Sequence, residues 1–136
     1  MAELKELLYI GTDETINFGN HLLESKAKLD DFEFRGNLWK VKTFKTMTRL
    51  EKNGMLVYES VPGTTVSDFR ESEAGLSFTV IGNEDAQITV GLEESTEYEV
   101  AIGDDTVGRM ATNMSGKLTL SVELTDGEPA TLRIMR

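Results

Sequence analysis

The sequence predicts an all-β protein: an antiparallel β-sandwich, or two small β units packed together. Three observations carry that expectation. Apolar residues recur with a period of two along most of the chain. Clusters of turn-forming residues interrupt that alternation every 8–12 residues or so, which is the spacing of short strands in sandwiches and barrels. Helical spacing occurs in a single short stretch, Ala2–Leu8, where Leu4, Leu7 and Leu8 share a face. That stretch is too short to be stable alone and could equally lead into the strand LLYIG.

The elements can be justified in chain order. In DDFEFRG, Phe32 and Phe34 fall on one face, and the RGN turn joins this run to LWKVKTFK as a hairpin. Within the second run Trp39, Val41 and Thr43 share one face, while Leu38, Lys40, Lys42 and Phe44 share the other. GLSFTVIG puts Leu76, Phe78 and Val80 together, and AQITVGL does the same for Ile88, Val90 and Leu92. EYEVAI alternates Tyr98, Val100 and Ile102 with Glu97, Glu99 and Ala101. KLTLSVEL alternates Leu118, Leu120, Val122 and Leu124 with Thr119, Ser121 and Glu123. One apolar and one wetted face is the mark of antiparallel strands. The separators RGN, KNG, VPG, EAG, GNED, GDD, MSG and TDGEP supply positive φ through Gly and local hydrogen bonds through Asn and Asp. Roughly ten to twelve strands follow from that spacing.

The 136 residues fit one domain, and the expectation is a single compact unit over 1–136. A subdivision into a basic β region, 1–54, and an acidic strand-dense region, 55–136, is also legible, with no Pro- or Ser-rich linker between them. Within 55–136 a repeat of about 40 residues suggests a four-strand duplication. It aligns Tyr58 with Tyr98, Val66 with Val107, Phe69 with Met110 and Gly75 with Gly116. Two β-meanders of similar composition would produce the same match.

Charge narrows the function classes. The net charge is −10, distributed as −4 over residues 1–25, +4 over 26–52 and −10 over 53–136. Such a chain repels nucleic acid and anionic membranes on average, so neither is expected as a partner. The first twenty residues carry acids and neither a basic segment nor a long apolar one, so a soluble cytoplasmic protein is expected. No Cys is present, which removes thiol nucleophiles, thiolate zinc and iron–sulfur sites. His21 is the only His, and no GxSxG elbow surrounds a Ser. The acidic turns Asn83–Asp85 and Asp104–Asp105 lack the ligand spacing of a calcium loop, and no Gly-rich phosphate loop occurs. No cofactor, metal or catalytic residue is therefore assigned; two well-placed carboxylates would suffice for a glycosidase and the twenty-four acids show no pattern that selects a pair, so the question of an enzyme stays open, leaning toward a binding module.

The basic island is where a partner is expected. Trp39, Lys40, Lys42, Lys45 and Arg49 are its candidate surface residues. Trp39 reads as core by alternation, with Lys40 and Lys42 facing outward; if its ring were exposed beside Lys it could stack a sugar. A basic strip could hold an anionic glycan, or the acidic part of a second copy, giving a homo-oligomer or a protein complex.

The stretch YEVAIGDDTVGRMATNMSGKLTLSVEL resembles the immunoglobulin- or fibronectin-like β modules appended to bacterial polysaccharide enzymes. The whole chain, through INFGN, DDFEFRGNLWKVKTF and NGMLVYESVPGTTV, is similar to small bacterial proteins labelled endosialidase. That resemblance implies a polysialic acid ligand, a carboxylated polymer that a basic strip would attract. No catalytic residue of the endosialidases is carried across. The leading expectation is a self-associating, non-catalytic binding or assembly module, with a carbohydrate-binding or glycan-active protein as the alternative.

Overall fold

In a computed structural model describing residues 7–136, alternation has become two packed antiparallel sheets. The strands are β1 (Leu8–Ile10), β2 (Ile16–Phe18), β3 (Ala27–Phe34), β4 (Asn37–Phe44), β5 (Met47–Lys52), β6 (Met55–Val61) and β7 (Thr65–Ser72). They continue with β8 (Gly75–Ile81), β9 (Ala86–Gly91), β10 (Glu97–Ile102), β11 (Asp105–Ala111), β12 (Lys117–Val122) and β13 (Ala130–Met135). One sheet has the order β1-β2-β7-β8-β13-β10-β11 and the other β12-β9-β6-β5-β4-β3. The helical reading of Ala2–Leu8 falls mostly outside the described residues; Leu8 itself opens β1. No helix among the described residues is long and apolar enough to cross a membrane.

The described residues form 13 strands against the ten to twelve expected; β1 lies in the LLYIG run, and β2, at three residues, is too short to show a period. The regions 1–54 and 55–136 interleave: β2 pairs with β7 in one sheet, and β5 with β6 in the other. The copies of the repeat also divide differently. β6 and β9 enter the six-stranded sheet with β7 and β8 in the other, whereas of β10–β13 only β12 joins the six-stranded sheet.

Every apolar set named from alternation faces the interior. Val41, Leu50, Tyr58, Val80, Ile88, Val90, Val100, Leu132 and Ile134 are fully buried. Each large side chain so buried contributes about 1.5–3 kcal/mol. Phe18, Tyr58, Phe69 and Phe78 meet edge-on or tilted, with Phe18–Tyr58 centroids 5.3 Å apart and Tyr58–Phe78 5.4 Å. Two turns follow the hairpin chemistry expected of them. Arg35–Gly36 and Asn53–Gly54 have positive φ at both positions, as the tight turn between twisted strands requires.

A buried hydroxyl network lies behind β4 and β5. Thr43 and Thr48, directly opposite one another, join their hydroxyls at 2.8 Å. The Thr48 hydroxyl donates to the Thr64 carbonyl at 2.7 Å and accepts the Thr64 N–H at 3.0 Å. The Tyr58 and Ser60 hydroxyls each meet Thr64 Oγ1 at 2.7 Å. Burial, only partly offset by those hydroxyls, pushes the Tyr58 phenol well above its ordinary pKa, so it stays neutral. The network clamps the 62–64 crossover, which carries the chain from one sheet to the other. Gly63 lies so close to the Phe44 backbone that a Cβ there would overlap the Phe44 carbonyl. No buried side-chain polar atom among the described residues lacks a partner, as a polar network inside a core requires.

Candidate functional site: the outer face of β3 to β5

The five basic-island candidates separate into three places. Trp39 points inward and is 3% exposed, its indole N–H donating to the Phe34 carbonyl at 3.4 Å. Lys52, opposite it on β5, lays its ammonium 5.4 Å from the ring centroid and pairs with Glu71 at 3.0 Å. A ring covered on that face and packed on the other has no surface to offer a sugar. Lys45 sits in the β4–β5 turn, at the end of the sheet, and pairs with Glu24 at 2.9 Å. Only Lys40, Lys42 and Arg49 share the outer face.

Antiparallel register sets what they face. Lys42 lies directly opposite Lys28 on β3 and directly opposite Arg49 on β5. Directly opposed side chains stand about 5 Å apart at Cβ, and like charges there are destabilising. The flanks of this row are neutralised. Arg49 donates through Nε to Glu51 at 2.7 Å and through Nη1 to Glu59 at 2.9 Å. The Glu51 hydrogen bond, joined by Glu59, holds the guanidinium above its ordinary pKa, against the opposing effect of burial. Asp30 is shared by Lys28 at 3.9 Å and Lys40 at 3.7 Å. Lys42 alone of this group has no carboxylate within ion-pair distance among the described residues.

Lys28 was not among the sequence candidates. Its place depends on a bulge in β3, where the register with β4 shifts between Leu29 and Phe32 and Asp31 takes a positive φ. The signal was present in AKLDDFEF: Leu29 and Phe32 share a face only if one residue of the DD pair is extra.

A second constellation surrounds His21. Its Nδ1 is 2.7 Å from Thr65 Oγ1, and its backbone N–H donates to the same oxygen at 3.2 Å. Burial lowers the imidazole pKa, opposed by the Asn83 side chain and the Asp126 carboxylate. A cleft of about 440 Å³ adjoins it, lined also by Lys45, Pro62, Asn83 and Glu84. With both its backbone and its ring anchored on Thr65, His21 fastens the loop after β2 to the start of β7. Among the described residues, no group of three or more His, Asp or Glu side chains is placed to hold a metal ion.

The outer β3–β5 face can thus hold one anionic group by point charges from Lys42 and Lys28, on a rigid sheet backed by the hydroxyl network. Compared with protein families, curated proteins and solved structures, the chain matches none, so this geometry is what a functional reading rests on.

Proposed function

We propose that the protein is a non-catalytic binding and assembly module whose β3–β5 face, centred on Lys42, docks a carboxylate-rich protein surface. A second copy supplies such a surface, because residues 53–136 sum to −10. The supporting observation is the row Lys28–Lys42–Arg49. Directly opposed cations on neighbouring strands cost stability; the two flanking ones are offset by Asp30, Glu51 and Glu59, while Lys42 has no carboxylate partner among the described residues. A docked carboxylate would relieve that repulsion, so the row is better matched to a bound state than to the free one. The burial of Trp39 weighs against sugar stacking, and hence against the glycan alternative.

Light scattering at low and high salt tests the reading, with wild type beside Lys42→Glu. The expected result is a salt-sensitive association, beyond any dimer that persists at high salt, which weakens as salt rises and which Lys42→Glu removes, since exposed charge pairs are screened within about 10 Å at 0.1 M salt. Association indifferent to both salt and Lys42→Glu, or a monomer at every ionic strength, would sink it.

A further inference from the structure

Four strands end the two sheets, and they are not alike. β1 is three residues long. β3 is bulged at Asp30–Asp31 and lined with charge. β11 pairs with β10 through a register shift and carries Gly108 at positive φ. Short length, bulges and charge are the ordinary means of keeping an edge from pairing with another chain. β12 has none of them: it pairs with β9 over six residues without a shift, and no charge, Gly or Pro lies between Lys117 and Glu123.

The backbone of that edge is aimed outward. The Gly116 carbonyl accepts the Leu92 N–H at 2.7 Å, which turns alternate residues Leu118, Leu120 and Val122 toward β9. Lys117, Thr119 and Ser121 therefore direct their N–H and C=O groups off the sheet. Those of Lys117 are taken by Asn113, whose N–H reaches the Lys117 carbonyl at 3.0 Å and whose Oδ1 accepts the Lys117 N–H at 2.9 Å. Those of Thr119 and Ser121 meet no further strand among the described residues.

We infer that β12 pairs with β12 of a second copy, antiparallel, about a twofold axis at Leu120. The stretch KLTLSVE reads against itself in that register. Thr119 faces the partner's Ser121, and both have outward-directed backbone groups, so each such pair can exchange both N–H···O bonds. Leu118 faces the partner's Val122, and Leu120 meets its own copy on the core side. Lys117 faces the partner's Glu123 on the outer face, so the two charges that bracket the strand complement each other twice. A register moved by one residue would set outward-directed backbone opposite inward-directed backbone and lose the bonds. An open cleft of about 660 Å³ beside Ser121 and Glu123, flanked by exposed Val61 and Val107, leaves room for the second copy and apolar surface for it to cover. The site is separate from the β3–β5 face, from which β6 and β9 divide it.

Sedimentation velocity over a concentration series tests the pairing. At a salt concentration that suppresses the Lys42-face association, wild type should show a monomer–dimer equilibrium. Ser121→Pro should raise Kd by more than about tenfold, because it removes an N–H that the dimer needs and the monomer's own ladder does not use. Circular dichroism checks that this variant remains folded. Lys117→Glu and Glu123→Lys should each raise Kd by about 3–10-fold, and the double variant should return toward wild type. That rescue keeps the test decisive even if Ser121→Pro misfolds. Lys42→Glu should leave this dimer intact, which separates it from the salt-sensitive association above. A wild type monomeric throughout, a dimer whose Kd none of the β12 variants moves, or a double variant worse than either single one would overturn the inference.

Discussion

The two ends of the six-stranded sheet treat the same backbone pattern in opposite ways. One row of outward residues crosses all six strands, from Lys28 through Lys42, Arg49, Glu59 and Thr89 to Thr119. At the β3 end it is fully charged, the edge is bulged, and hydroxyls lie buried behind it. At the β12 end it is neutral, with Thr89 and Thr119 joining hydroxyls at 3.0 Å, the edge is regular, and the inward residues of β12 and β9 are all aliphatic. The contrast shows that one sheet can present a guarded, ion-paired surface and an open backbone edge without any change of fold. Alternation satisfies the interior in both places, which leaves the outer residues free to differ.

The largest expected effect tests how firmly the charged end is anchored. Trp39→Ala should destabilise by about 3–5 kcal/mol, as measured by urea unfolding, because the ring fills the interior between β3, β5 and β7. Leu120→Ala, at the other end, should fall at or below the bottom of that range; a larger cost there would reverse the contrast. Next comes Thr48→Val, which keeps the shape but leaves the Thr64 N–H without its acceptor and Thr43 Oγ1 without one of its partners. It should cost about 1–3 kcal/mol by the same measurement. The corresponding Thr119→Val on the exposed β12 face should be near neutral.

Lys42→Glu should act with the opposite sign. An acid opposite both Lys28 and Arg49 should raise stability by about 0.2–1 kcal/mol, seen as a higher urea midpoint, while removing the salt-sensitive association. A destabilised variant would mean that the cation row is not strained. The smallest effect concerns pH. Burial depresses the folded pKa of His21 below its ordinary 6.5. Its contribution to stability is therefore complete above 6.5 and is lost as pH falls through the folded value, where the unfolded chain binds the proton first. Urea midpoints should decline as pH falls from 6.5 to that folded value, and His21→Gln should flatten the decline.

Much of this was legible in the chain, and the limits of legibility are physical. The separators RGN, KNG, VPG and TDGEP look alike as turn signals. The first two close hairpins within a sheet, whereas VPG and TDGEP carry the chain across to the other sheet. A Gly marks a turn in all four, though Gly63 lacks the positive φ of Gly36, Gly54 and Gly127; which sheet follows depends on the partner that the next strand finds. Lys42 was placed outward from its own strand, yet its role depends on Lys28 and Arg49, which reach it only through register. Likewise KLTLSVE was readable as a strand, but its being an edge was not.

The sequence by itself determined which side chains face the core in the strands with clear alternation, Trp39 and Val41 inward and Lys40 and Lys42 outward, because a period of two is a local property of an extended backbone. It determined the absence of thiol chemistry and the single positive segment in an acidic chain. Only the tertiary structure decided that Lys42 stands between two other cations, that Thr43, Thr48, Ser60 and Thr64 share one buried network, and that β12 ends a sheet with the outward backbone groups of Thr119 and Ser121 meeting no further strand among the described residues. Those facts depend on contacts between residues far apart in the chain, and strand order and register are settled by burying all the apolar faces at once.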